Sequence, residues 1–107
     1  MSQRRIIHSS NAPKAIGPYS QAVQVGKTVY LSGQTPIDPG TGELVDGDIS
    51  AQAHQAFKNL KAVLAAAELS FDNVARVGIY MTDLGNFSAV NEVMKQYFNE
   101  PYPARST

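Results

Sequence analysis

Residues 48–67, DISAQAHQAFKNLKAVLAAA, carry the strongest structural signal in the chain. Apolar side chains recur there at steps of three and four residues, the spacing that places them on one face of an α-helix. Asp48 or Ser50 can accept hydrogen bonds from the free backbone N–H groups of the first turn. The segment therefore predicts an amphipathic helix that packs on the rest of the chain. Its apolar face would comprise Ala53, Ala56, Phe57, Leu60, Val63, Leu64 and Ala67.

The residues after this helix predict a strand and a second helix. Residues 74–82 are rich in β-forming residues, and one face of this strand would carry Val77, Ile79 and Met81. Asn86 stands where it can cap the second helix. The apolar face of that helix would comprise Phe87, Val90, Met94, Tyr97 and Phe98. The run 99–101, Asn-Glu-Pro, ends the helix, and residues 104–107 look like the start of a further strand.

The residues before the long helix predict three short strands. Residues 4–8 are a candidate first strand, and residues 21–25 and 28–33 flank a Gly-Lys turn, which indicates a hairpin. Residues 11–19 are dense in proline and glycine and are expected to be irregular, as are residues 36–42.

The predicted order is β-β-β-α-β-α followed by a strand fragment, which favours an α+β layer with both helices on one sheet face. The 107 residues fit one domain spanning 1–107, with no repeat or linker. A domain this small buries a modest core, so association between copies would stabilise it.

Composition limits the function classes. Nine Lys plus Arg balance nine Asp plus Glu, and the basic residues are scattered, which argues against a nucleic-acid-binding stripe. The absence of cysteine excludes thiol catalysis and thiolate metal sites. The first eight residues contain no long apolar run, so we predict no membrane segment and a cytoplasmic protein.

The common catalytic motifs are also missing. His8 and His54 are the only histidines, and neither has a carboxylate at ligand-like spacing, so no metal site is predicted. No Gly-x-Ser-x-Gly elbow or P-loop is present. Ser32 follows a strand, where it can line a pocket or satisfy a neighbouring backbone group.

Two residues in rigid Pro-flanked segments remain, Tyr19 and Arg105. Arginine suits a planar carboxylate because its guanidinium presents parallel N–H donors. Tyrosine offers an apolar ring and a hydroxyl that donates or accepts. From these properties alone, Arg105 can equally be a surface residue and Tyr19 a packing residue.

Four segments resemble the RidA family of reactive-intermediate deaminases, also called YjgF-like. They are AIGPYSQA at 15–22, LSGQTP at 31–36, NFSAVN at 86–91 and PARS at 103–106. The resemblance runs in order from about His8 to Thr107. It implies a chorismate-mutase-like α+β fold, with two helices on one face of a mixed β-sheet. It also implies a homotrimer with active sites between subunits.

The activity that the resemblance implies is hydrolysis of 2-imino acids, such as 2-iminobutanoate and 2-iminopropanoate, to 2-keto acids and ammonia, without cofactor or metal. Arg105 would bind the substrate carboxylate, and Tyr19 would lie beside the substrate as the second catalytic residue. The family also has a water-positioning glutamate on a final strand, which we expect to follow Thr107. The remaining substrate-binding positions would be Ser32, Gly33, Gln34, Asn91 and Thr107.

Two other functions stay open. The first is a trimeric protein that binds small carboxylates without turnover, in a regulatory role such as translation inhibition or a chaperone-like activity. The second is RNA cleavage, which the zero net charge and the lack of a basic or aromatic-stacking surface disfavour.

Overall fold

The computed structural model describes residues 3–107. Three strands, Arg4–Ile7 (β1), Ala22–Val25 (β2) and Thr28–Leu31 (β3), form an antiparallel sheet in the order β1-β2-β3. Ile6 pairs with Val23, which pairs in turn with Tyr30. The predicted first strand and hairpin are therefore present, with each strand slightly shorter than its sequence signal.

The second half of the chain contains both helices and a parallel strand pair. Helix α1 spans Ile49–Ala66 and helix α2 spans Phe87–Tyr97. Strands Arg76–Gly78 (β4) and Ala104–Ser106 (β5) pair in parallel, with Val77 opposite Arg105. The predicted α+β class and order of elements are confirmed, and the strands of the described residues form two ladders, one antiparallel and one parallel.

Helix α1 contributes to both apolar cores of the molecule. Its N-terminal half packs with α2 and β4, and the buried residues of this cluster are Ala53, Phe57, Val90, Val93, Met94 and Phe98. Its C-terminal half packs against the three-stranded sheet, in a cluster whose buried residues are Ile7, Ala12, Ala22 and Val63. The three- and four-residue spacing of the apolar face explains both contacts, because it gives one continuous stripe along the helix.

Of the caps predicted for α1 and α2, the side-chain cap of α1 is present and that of α2 is not. Asp48 caps α1, since its Oδ1 accepts a hydrogen bond of 3.0 Å from the Ala51 N–H. Asn86 occupies the N-cap position of α2, but its side chain makes no capping hydrogen bond. The predicted cap is wrong because a 3₁₀ turn, Leu84–Asn86, leads directly into α2. Asp83 starts that turn and accepts a hydrogen bond of 2.8 Å from the Gly85 N–H.

The strand predicted over residues 74–82 is paired over three residues only, as β4. Its partner β5 is equally short, and the Ile79 N–H makes one further bond of 2.8 Å to the Ser106 carbonyl. The predicted facing is confirmed, since Val77, Ile79 and Met81 all pack against the helices. None of the helices in residues 3–107 has the length and apolarity needed to cross a bilayer.

Phe57 is the centre of the aromatic contacts between α1 and α2. Its ring stacks on Tyr97 at 5.2 Å between centroids and meets Phe71 and Phe98 edge-on. Burial raises the pKa of Tyr97. Its hydroxyl donates to the His54 carbonyl and lies 3.1 Å from His54 Nδ1. His54 is thus a packing and hydrogen-bonding residue of the helix pair.

Replacing Phe57 by alanine should destabilise the molecule strongly. We expect Phe57→Ala to lower the free energy of unfolding by about 3–5 kcal/mol, because the lost ring leaves a cavity in the core. The neighbouring exposed Lys58 is the matched control, and Lys58→Ala should change that free energy by less than about 0.5 kcal/mol. Urea denaturation measures both, and equal losses would contradict the packing described for α1.

Candidate functional site

Arg105 lies on the exposed strand β5 and extends over helix α2. Its Nη1 donates to Asn91 Oδ1 at 2.5 Å and approaches Met94 Sδ at 3.6 Å. The guanidinium carbon lies 4.8 Å from the centroid of the Phe87 ring, a cation–π contact. Three residues on successive turns of one helix therefore hold one side of the guanidinium.

The parallel pairing of β5 with β4 places Arg105 at this position. The Ala104 N–H donates to the Ala75 carbonyl at 3.0 Å and fixes the register of the pair. Val77 of β4, opposite Arg105, packs in the core beneath α2. The strand pair thus lies against α2, and a long side chain from β5 reaches the helix.

The other side of the guanidinium is free. Among residues 3–107, neither Nε nor Nη2 of Arg105 donates a hydrogen bond. The one ion pair in this part of the chain joins Lys95 to Glu92, so no carboxylate neutralises Arg105. Nε–H and Nη2–H point in parallel, which is the geometry that binds both oxygens of a carboxylate. The arrangement can therefore hold a small anion.

Tyr19 belongs to a second group of predicted residues, near β2 and β3. Its side chain is 49% exposed, and its hydroxyl accepts a hydrogen bond of 3.4 Å from the Ile16 N–H. Within residues 3–107 the hydroxyl donates to no acceptor, so its proton is available to a ligand. The Tyr19 N–H donates to the Gly17 carbonyl, which holds the turn before it.

Ser32 links the two segments of this second group. Its Oγ donates to the Ser20 carbonyl at 2.6 Å, and its N–H donates to the Gln21 carbonyl at 2.9 Å. Ser32 therefore satisfies neighbouring backbone groups, and its pocket-lining role stays a prediction. It anchors the residue next to Tyr19, and Gly33 and Gln34 follow it directly, Gly33 exposed and Gln34 half-buried.

Gln21 was quoted in a motif but given no role by the sequence argument. Its side chain is 3% exposed and clamps the segment before Tyr19. Its Oε1 accepts from the Ser9 N–H at 2.6 Å, and its Nε2 donates to the Ser9 and Pro13 carbonyls. Gln21 directly precedes β2, and its place in the segment AIGPYSQA was the available signal for a structural role.

Asn59, which the sequence argument missed, fixes the segment after Gln34. It is 1% exposed within α1. Its Nδ2 donates to the carbonyls of Thr35 and Ile37 at 3.1 and 2.8 Å, and its Oδ1 accepts from Gln55. An asparagine beside the apolar stripe of a helix was the signal that could have found it.

The predicted site residues thus form two groups. Tyr19, Ser32, Gly33 and Gln34 lie together at the ends of β2 and β3, whereas Arg105 and Asn91 meet on α2. Thr107 follows β5 and is exposed. No hydrogen bond within residues 3–107 joins the two groups.

Two grooves formed by the described residues contain none of these site residues. One of about 390 Å³ lies between α1 and the segment before α2, lined by Ile49, Gln52, Tyr80, Met81, Thr82, Asp83 and Asn86. The other, about 300 Å³, lies beside the end of α2. Across residues 3–107, no three His, Asp or Glu side chains lie close enough together to hold a metal ion.

The Gln21 clamp can be tested by its effect on local order. Gln21→Leu removes the partners of buried backbone groups, which costs about 1–3 kcal/mol of unfolding free energy. We therefore expect faster hydrogen exchange at Ser9 and Asn11, while α1 stays protected. Gln24→Leu, at a glutamine of β2 that makes only surface contacts, is the matched control. Unchanged exchange at Ser9 in Gln21→Leu would refute the clamp.

The family model described as endoribonuclease L-PSP matches residues 9–107. The chain is 59% identical to Protein DfrA of Myxococcus xanthus, over 97% of this chain and 81% of that protein. It is 51% identical to the 2-iminobutanoate/2-iminopropanoate deaminase of Dermatophagoides farinae, over 100% and 84%. The crystal structure of RidA from Psychrobacter sp. PAMC 21119 superimposes with a TM-score of 0.91 at 48% identity, covering 95% of this chain and 82% of that one.

Proposed function

Since the chain belongs to the RidA family, matched by the endoribonuclease L-PSP model, we propose that it is a hydrolytic deaminase of 2-imino acids. Its substrates would be 2-iminobutanoate and 2-iminopropanoate, and its products the 2-keto acids and ammonia. A relative that is 51% identical carries this activity in its name. The observation that carries the proposal is the free Nε/Nη2 side of Arg105, held toward solvent by α2.

The substrate carboxylate fits the electrostatics around Arg105. The guanidinium has no ion-pair partner within residues 3–107, and its contacts with Phe87, Asn91 and Met94 leave its positive charge unneutralised. A carboxylate bound by two parallel N–H donors would be fixed in both position and plane.

The reaction needs a water molecule and two proton movements. In the protonated imine, R–C(=NH₂⁺)–COO⁻, water adds to the carbon and forms a tetrahedral amino alcohol. One proton then moves from the added oxygen to nitrogen, which gives R–C(OH)(NH₃⁺)–COO⁻. Ammonia leaves with the C–N electron pair as the C=O bond forms, and the remaining hydroxyl proton passes to the ammonia, so the products are the 2-keto acid and ammonium. Arg105 would hold the carboxylate so that the reacting carbon stays in place. The free hydroxyl proton of Tyr19 can be donated to a substrate atom.

We further propose that the site is completed between subunits of a homotrimer. The two groups of site residues are not joined within one chain, so a neighbouring copy could bring Tyr19 to Arg105. The outer face of the three-stranded sheet supports association, because the cross-strand row of Ile6, Val23 and Tyr30 is apolar, with Ile6 54% and Tyr30 64% exposed. Zero net charge removes long-range repulsion between copies.

Substitution of Arg105 tests the deaminase proposal. Two charge-assisted hydrogen bonds contribute about 1.5–3 kcal/mol each, so Arg105→Ala should lower kcat/KM by at least about 100-fold. The assay follows 2-iminobutanoate released by threonine dehydratase, above its spontaneous hydrolysis. Arg76→Ala is the matched control, since Arg76 is an exposed arginine on the adjacent strand. A folded Arg105→Ala protein with full activity would refute the proposal.

A binding protein without turnover is the second candidate. The free side of Arg105 accounts for holding a carboxylate, and binding alone requires no more than that. Calorimetry with 2-oxobutanoate separates the two: binding without any acceleration of imine loss would establish the second candidate and exclude the first.

Mixed oligomers test the sharing of the site. Arg105→Ala and Tyr19→Ala should each be nearly inactive alone. If the residues come from different subunits, unfolding and refolding them together at equal amounts should restore about a quarter of the wild-type sites. Light scattering should show three times the chain mass for each variant. A trimer with no recovery would show that each site lies within one chain.

A further inference from the structure

Phe87 is an apolar residue that lies outside the buried core clusters. The sequence pattern assigned it to the apolar face of α2, but the structure leaves it 37% exposed and outside the cluster that buries Val90, Met94 and Phe98. That assignment is wrong because Phe87 is the first residue of α2, where the helix emerges from the turn at Leu84–Asn86. The guanidinium of Arg105 lies over its ring, 4.8 Å from the centroid.

The ring limits the positions that the guanidinium can take. Arginine has many rotamers and loses much side-chain freedom when it is fixed. Asn91 and Met94 hold Nη1 at 2.5 and 3.6 Å, but contacts to one nitrogen leave the guanidinium plane free to turn about that atom. The contact of the guanidinium with the Phe87 ring adds a second restraint on that movement. Together they keep Nε and Nη2 directed away from α2.

We propose that Phe87 is a positioning residue that holds Arg105 ready to bind the carboxylate of the substrate. The inference rests on the proposed function, because it assigns the Nε/Nη2 side of Arg105 to that carboxylate. Phe87 would touch the guanidinium rather than the reacting atoms. Its contribution is to reduce the loss of side-chain freedom when a carboxylate binds.

Two substitutions of Phe87 and one control separate this positioning role from simple packing. Phe87→Leu keeps an apolar side chain but removes the π face, whereas Phe87→Tyr retains it. We expect Phe87→Leu to raise KM for 2-iminobutanoate by about 3- to 30-fold, the range of cation–π contacts, with kcat within about twofold because the lost binding is common to ground and transition states. Phe87→Tyr should stay within about twofold of wild type in both constants.

Leu84→Ala is the matched control, since Leu84 is an exposed apolar residue of the preceding turn. It should leave KM and kcat unchanged. A thermal melt of each variant checks folding, and Phe87→Leu should melt within about 2 °C of wild type because it removes no core contact. A lowered melting temperature in Phe87→Leu with an unchanged KM would show a packing role and overturn the inference.

A spectroscopic measurement makes the test independent of turnover. The ring current of Phe87 should shift the Arg105 Nε–H resonance upfield in the wild type and in Phe87→Tyr, and the shift should be lost in Phe87→Leu. Affinity for 2-oxobutanoate, measured by calorimetry, should weaken by the same factor as KM. If the wild type binds 2-oxobutanoate but does not turn over imine, the proposed deaminase fails while the Phe87 effect on binding still stands. An unchanged resonance and affinity in Phe87→Leu would overturn the inference.

Discussion

The packing of helix α1 against both strand ladders is the constraint on which the rest of the structure depends. Its N-terminal half meets α2 and β4 through Phe57, and its C-terminal half meets the three-stranded sheet through Val63, which is fully buried. Strands of three and four residues are too short to stabilise two separate ladders without a shared apolar partner. Asn59 ties the same helix to the segment after Gln34. The position of each group of site residues therefore depends on α1.

The two groups differ in how rigidly they are held. Buried or backbone hydrogen bonds from Gln21 and Ser32 fix the segments around Tyr19. Arg105 is held instead by surface contacts on α2, namely one amide oxygen, one sulfur and one aromatic face. Such contacts leave two donors of the guanidinium free, which is what a reversible carboxylate site requires. On the proposed function, association of subunits would bring the firmly held segments around Tyr19 next to Arg105.

Much of the fold was predictable because it follows from local patterns. The period of α1, its Asp48 cap and the facing of Val77, Ile79 and Met81 needed no distant partner. The hydrogen-bond partners of Gln21 and Asn59 could not be identified, because they lie 8–12 and 22–24 residues away in the chain. Phe87 was misassigned because periodicity cannot distinguish a core position from a residue at the end of the same stripe. Resemblance supplied Asn91 and gave a role to Arg105, which was already a candidate from its Pro-flanked segment. Their direct bond depends on the parallel pairing of β5.

The central claim is that the free side of Arg105 binds a small carboxylate, and a crystal structure with bound 2-oxobutanoate tests it most directly. The account predicts both carboxylate oxygens on Nε and Nη2 of Arg105, with the bond from Nη1 to Asn91 intact and the guanidinium still over Phe87. A carboxylate bound in one of the two grooves, away from Arg105, would contradict the account. So would a complex in which Arg105 breaks its hydrogen bond to Asn91 in order to bind the carboxylate.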